Sequence, residues 1–208
     1  MKSLLIFGAG SGAGALLLKE VGNDYKITLM IRNPEKAAAI DIPGVNIIHG
    51  DAADINIVEQ ACRAAGPNAT IVSTMGGEAA NYIGHRLIID CAEKFGLKRM
   101  LMVTSIGCGD TWPTLSDRAK AAFGQAVREK SLAEIWLQTS QLDYCIFRPG
   151  GLKDGPATHK AEALQNQEVH GLVHRHDVAL LIAQKLQAAE FGNQIYSVID
   201  PTLEFKRG

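Results

Sequence analysis

Along the chain, short apolar runs alternate with longer stretches in which apolar positions recur every three or four residues. The runs are Leu4 to Phe7, Tyr25 to Ile31, Val45 to His49, Ala69 to Thr74, Arg99 to Thr104, Leu142 to Arg148 and Gln194 to Ile199. Their length and near-continuous apolarity predict strands covered on both faces. Helical spacing follows the first run through Ala15 to Leu18. It returns at Ala80 to Phe95, where Ala80, Ile83, Leu87, Cys91 and Phe95 step along one face. Ala119 to Gln138 and Asp177 to Ala189 read as further helices, the latter with Asp177 as its N-cap. Strands alternating with helices are joined by right-handed crossovers into a mainly parallel sheet. One doubly wound α/β domain over residues 1–208 is expected, with no linker or repeat to divide it.

Bulk properties narrow the partners. A chain of 208 residues builds one well-buried core and is short for two. A net charge of −1 gives no electrostatic footprint for nucleic acid or an anionic membrane surface. No apolar run is long enough to span a bilayer. Glycines at 8, 10, 12 and 14 interrupt the first apolar run, and Lys19-Glu20 stands where a signal peptide would place small residues, so a secretory leader is not expected. Cys62, Cys91, Cys108 and Cys145 are scattered without metal-ligand spacing. They read as small core side chains in a reduced, cytoplasmic protein.

The segment Ser3 to Glu20 carries the most chemistry. A strand meets a glycine-rich turn, and a helix opens at once. That order suits a dinucleotide pyrophosphate, which needs close backbone approach and the unpaired N–H groups of a helix N-terminus. Two frames fit the sequence. Gly8, Gly10 and Ala13 satisfy G-x-G-x-x-G/A, while Gly8, Ser11 and Gly14 satisfy a G-x-x-G-x-x-G frame with serine in the middle. Gly12 lies beside Ser11 in both. A fold of the Rossmann type with a bound NAD(P) is the expectation.

In such a sheet ligands sit beyond the carboxyl ends of the strands. Candidate binding residues are therefore Gly8, Gly10, Ser11, Gly12, Ala13 and Gly14, then Arg32, then Asp51 with Ala52, Met75 with Gly76, Thr104, and the run Pro149, Gly150, Gly151 and Leu152. After the second strand the chain reads Ile31, Arg32, Asn33, with no acidic residue before Glu35. A cation there suits the 2′-phosphate of NADP, where a carboxylate would suit the ribose of NAD. Asp51 could accept from an adenine amino group or close a turn.

Several segments together resemble the atypical branch of the short-chain dehydrogenase/reductase superfamily: FGAGSGAG, IRNPEK, HGDAAD, MLMVTSIG, LDYCIFRPGGL and RHDVALLI. The likeness is to the group that includes biliverdin reductase B (flavin reductase) and the NmrA-like proteins, and it covers nearly the whole chain. Typical members of the superfamily pair a serine with Tyr-x-x-x-Lys. The resemblance implies Ser105 and Lys130 as the catalytic pair, Lys130 also clamping the cofactor ribose. Ala126 stands where the tyrosine would be.

The resemblance implies an NADPH-dependent oxidoreductase that passes hydride to a small planar or carbonyl acceptor of the flavin, quinone or tetrapyrrole type. The alternative is a non-catalytic NADP-binding sensor of the NmrA-like kind, which the missing tyrosine would suit. The little chain that follows Gly151 argues against a sugar-nucleotide epimerase with its own substrate domain. His170, His174 and His176 suggest metal-ligand spacing, with His174 and His176 on one face of a strand, yet no carboxylate or cysteine cluster completes a set, and no metal is expected. Trp112, in the loop Gly107 to Arg118, is a candidate wall for a planar substrate.

Overall fold

The computed structural model describes residues 1–77 and 80–204, with the side chain of Asn23 left aside. Its strands are β1 (Lys2–Phe7), β2 (Tyr25–Ile31), β3 (Asn46–His49), β4 (Ala69–Ser73), β5 (Arg99–Val103), β6 (Asp143–Pro149), β7 (Gly151–Lys153), β8 (Glu162–Leu164), β9 (Leu172–His174) and β10 (Gln194–Ile199). The helices are α1 (Gly12–Val21), α2 (Pro34–Ala38), α3 (Ile55–Ala65), α4 (His85–Lys94), α5 (Asp117–Gln138) and α6 (Arg175–Lys185). Eight strands form one sheet in the order β3-β2-β1-β4-β5-β6-β10-β8, parallel throughout except for β8, which runs antiparallel to β10. Strands β7 and β9 pair separately. The order reverses between β1 and β4, which places the switch point beside the glycine turn.

Alternate side chains of β1 divide between two cores. Leu4 and Ile6 meet α1 and α6 through Leu17, Leu18 and Ile182, whereas Leu5 and Phe7 meet α3, α4 and α5 through Val58, Ile88 and Leu137. This two-sided burial explains why the strand reads as an unbroken apolar run.

The predicted elements differ from the observed ones in informative places. The stretch beginning at Ala80 opens as a π-helical turn, Ala80–Gly84, and becomes α-helical only from His85. The last helix starts at Arg175, two residues before the expected cap. Asp177 lies inside its first turn, buried, where it accepts from the Thr158 and His159 amides. Asp177 therefore fastens the 155–160 loop and does not cap α6. His174 ends β9 whereas His176 belongs to α6, so the two do not share a strand face. His174 bonds to the Pro156 carbonyl and His176 to Glu20, while His170 lies 3.5 Å from the Glu168 carboxylate.

One polar cluster crosses the second core. Glu134 of α5, fully buried, takes both Nε and Nη2 of Arg148 on β6, at 3.0 and 2.6 Å, and also accepts the Thr104 hydroxyl at 2.6 Å. Asp110, in the 3-10 turn Gly109–Thr114, takes Arg148 Nη1 at 2.7 Å. Burial alone would lower the Arg148 pKa, but the hydrogen bonds and charge of Glu134, followed by Asp110, lift it above the ordinary arginine range. Glu134→Ala should therefore cost about 3–5 kcal/mol, because it strands a buried guanidinium and the Thr104 hydroxyl together. Urea denaturation checks this. A loss below about 1 kcal/mol would mean that Asp110 and water satisfy Arg148 unaided.

Candidate cofactor and active site

The glycine turn is shaped by a close contact between three elements. Gly8 has φ +91°, and a Cβ there would lie 2.8 Å from the Met75 amide nitrogen and the Thr74 hydroxyl. A Cβ on Gly14 would overlap the Gly8 carbonyl oxygen and stand 2.5 Å from Thr74 Oγ1. Gly14 thus lets α1 rest on the end of β1, and the Thr74 hydroxyl bonds back to the Gly8 carbonyl at 3.2 Å. At Gly10 the nearest atom is the flexible end of Lys36, at 3.3 Å. The contacts thus account for glycine at 8 and 14, and φ +59° favours glycine at 12 as well. Ser11 occupies the N-cap position of α1 without a side-chain cap bond, and no acidic residue stands in the first turn. The leading N–H groups of α1 are left for an anion.

A cleft of about 350 Å³ opens over this turn. Of the candidate residues, Gly8, Gly10, Ser11, Gly12, Ala13, Arg32, Asp51, Ala52, Met75, Gly76 and Leu152 line it. Gly14 lies beneath it as packing. Asn33, which follows the second strand with Arg32, also lines it, as do two cations outside the candidate set, Lys36 and Arg175. Asn33 caps the short helix α2 by accepting from the Glu35 and Lys36 amides, which carries Lys36 back toward the cleft. Arg175 begins α6 and would meet a Gly12 Cβ at 3.5 Å, so its guanidinium arm stands beside the opening of α1. The signals were present in IRNPEK and RHDVALLI, but neither spacing reveals which side chains turn inward. Arg32 is exposed and pairs with Asp51 at 3.4 Å.

The remaining candidates lie elsewhere. Thr104 spends its hydroxyl on Glu134, and its carbonyl accepts from Lys130 Nζ at 3.4 Å. Ser105 follows directly, half-buried, with its hydroxyl on the Ile106 carbonyl. Lys130 Nζ would stand 3.9 Å from a Gly76 Cβ, so the cation is held where the ends of β4 and β5 meet. Burial lowers its pKa, opposed by the nearby Glu134 carboxylate. Pro149 and Gly150 serve the chain's own packing. The Pro149 carbonyl accepts from the Ile106 amide, and a Cβ on Gly150 would overlap the Gly171 carbonyl. Gly151 bonds to that same carbonyl.

Trp112 is not a wall of this cleft. It packs on Gly124 of α5, 3.2 Å from where a Cβ would be, flanked by Lys120 and Arg128. The thiol of Cys108 is buried against the Val127 carbonyl, and burial pushes its pKa up to about 12.

Below the turn, His85 is completely buried, its Nε2 2.8 Å from Ser73 Oγ and its Nδ1 3.2 Å from the Asn81 carbonyl. Burial pushes its pKa down to about 4; the Asn81 carbonyl opposes the fall and the charge of Lys130 adds to it. The neutral imidazole contributes its stability in full above the unfolded value near 6.5 and loses it as pH falls toward 4. Stability should drop by up to about 3 kcal/mol over that window. His85→Gln should flatten the slope, read from urea midpoints between pH 7 and 4.

A family model described as NAD(P)H-binding matches residues 8–189. Among solved structures the chain is 54% identical to ChuY, an anaerobillin reductase from Escherichia coli O157:H7, at a TM-score of 0.93 over 97% of this chain and 98% of that one. ChuY from E. coli strain CFT073 gives 53% identity and a TM-score of 0.90, over 99% and 100% of the two chains. YhfK of Bacillus subtilis strain 168, described as an uncharacterized sugar epimerase, is 26% identical over 96% of this chain and 94% of its own.

Proposed function

The chain belongs to the NAD(P)H-binding family, and from that premise we propose an NADPH-dependent reductase of a planar conjugated acceptor of the linear tetrapyrrole type. The observation that carries the reading is the placement of Lys130 on α5. Lys130 is held on the carbonyl of Thr104, the residue before Ser105, and stands beside Gly76, which lines the cleft. The 54% identity to a reductase of this class over nearly the whole of both chains supports the acceptor.

The residues fit the cofactor, because the Gly8–Gly14 contact leaves a backbone cradle and α1 offers uncapped amides. NADPH, when bound, supplies the hydride. The amides of Gly12 and Ala13, with Arg175 beside them, would hold the pyrophosphate. Arg32 and Lys36 would take the 2′-phosphate, Arg32 giving up Asp51 for it. Lys130 would hold the nicotinamide ribose, and the Ser105 hydroxyl would turn from the Ile106 carbonyl to donate to the acceptor as negative charge grows there. With Ala126 one turn before Lys130, no phenol at that place gives the proton. The acceptor must stabilise the incoming electron pair by conjugation until water or a neighbouring group protonates it. That requirement favours extended π systems over simple ketones.

Arg32→Ala combined with Lys36→Ala should weaken NADP roughly ten- to hundredfold while leaving NAD nearly unchanged. Calorimetric titration of both cofactors decides it, and equal losses would remove the 2′-phosphate assignment. Lys130→Met should raise the apparent NADPH constant at least as much as it lowers turnover, whereas Ser105→Ala should lower turnover alone. Absorbance at the cofactor band, with bilins, flavins, quinones and simple ketones as acceptors, is the measurement. Brisk ketone reduction with Ser105→Ala fully active would mean a different catalytic centre. NADPH binding with no oxidation by any acceptor would favour the sensor role, to which Ala126 alone would point.

A further inference from the structure

A second cleft, of about 480 Å³, opens beside the outer strands and shares no lining residue with the cofactor cleft. Its walls are the 3-10 turn Gly109–Thr114 and the 164–168 segment; its floor is β10 and Arg148. The lining is rich in carboxamides, with Gln165, Asn166, Gln167 and Gln194 facing one space. Asp110 and Glu168 are its acidic members, Glu168 lying beside His170, and its one cation among the described residues is Arg148. Its side chain is 5% exposed, and the fork formed by Nε and Nη2 is filled by Glu134. Nη1 is the remaining edge, and its partner is Asp110, whose own side chain is 82% exposed.

The two carboxylates differ in kind. Glu134 is 1% exposed and also accepts the Thr104 hydroxyl, so it cannot leave without breaking the core. Asp110 sits on a short turn at the mouth of the cleft. Gly109 brings that turn onto the guanidinium, since its Cβ would lie 2.8 Å from Nη2 at φ +54°. An arginine already neutralised by one buried carboxylate has no electrostatic need of a second from solvent.

We propose that this cleft binds a small organic carboxylate, which takes the place of Asp110 on Arg148 Nη1 while its polar remainder lies along the Gln165–Gln167 carboxamides. Asp110 is then an internal competitor that holds the position in the free protein. Charge balance favours exchange over addition, because a third anion at one guanidinium would be repelled by the two present. A planar carboxylate matches the group it replaces and the edge of the fork.

The test is calorimetric titration of succinate into the wild-type chain, Asp110→Ala, and Asp110→Ala combined with Ser197→Phe. Ser197 pairs across from Arg148 in the sheet and lines the cleft floor, so the larger side chain fills the space and spares the ion pair. Removing the competitor should tighten succinate roughly ten- to hundredfold, the factor a lost charge-assisted hydrogen bond carries. The filled variant should lose that gain while keeping the wild-type circular dichroism. Saturating NADP should leave the succinate affinity unchanged. Equal affinities in wild type and Asp110→Ala would overturn the proposal, as would competition by NADP. Inorganic phosphate binding Asp110→Ala as tightly as succinate would overturn the carboxylate assignment. The readout is binding, so it stands apart from whether the chain reduces tetrapyrroles.

Discussion

A guanidinium taken out of water between a strand and a helix must find anionic partners in fixed directions, and Arg148 imposes that demand on the half of the molecule that holds Lys130 and Ser105. Glu134 can fill the fork only if α5 sits at one height and one rotation against β6. Lys130 lies one turn earlier on the same face, so the ion pair also sets where the lysine reaches. Both side chains converge on Thr104, Glu134 through the hydroxyl and Lys130 through the carbonyl. The residue before Ser105 is thereby held from two sides. The cluster stabilises less by its own net energy, which desolvation largely offsets, than by the cost of every arrangement in which one member is left unpaired.

The cleft over the glycine turn is set by an absence of atoms. Gly14 allows α1 to touch the Gly8 carbonyl, and Thr74 bridges the same carbonyl from β4. These contacts involve α1, β1 and β4, while the Arg148 cluster involves α5, β5 and β6. The two anchor sets have no residue in common. Their link is the sheet itself, through the β1–β4 and β4–β5 ladders. A dinucleotide spanning the cleft would therefore read the spacing of three adjacent strands, a distance that backbone hydrogen bonding fixes.

The strands that carry the sheet were legible because burial on both faces leaves an apolar run with little else to be. Helix α3 was passed over although Asp54 caps it and Val58, Ala61 and Cys62 give it an inner face, because exposed polar residues interrupt the run. The short strands β7, β8 and β9 have three residues each, too few for periodicity to register. Asp177 looked like a cap because it precedes an apolar stretch, but its carboxylate has a tertiary partner in Thr158. Of the site, the glycine turn was readable since its spacing is local. Lys36, Arg175 and the role of Thr104 were not, because each depends on where a distant element is placed.

A pattern in the ion pairs bears on how ligands would enter. Arg32 is paired with Asp51, Arg175 with Asp154 and Arg148 with Asp110, and in each case the aspartate side chain is 43% exposed or more. A phosphate or carboxylate arriving at such an arginine exchanges one anion for another, so the net charge of the pair changes little. Part of the attraction is then offset by the bond given up, and selectivity shifts from charge to geometry. A dianionic phosphate offers more acceptor oxygens than Asp51 can, whereas a stray chloride offers none with direction. Non-specific anions would thus be disfavoured at these arginines. In a chain with a net charge of −1 there is little long-range field to gather anions indiscriminately. Discrimination must come from how each arginine and its aspartate are aimed.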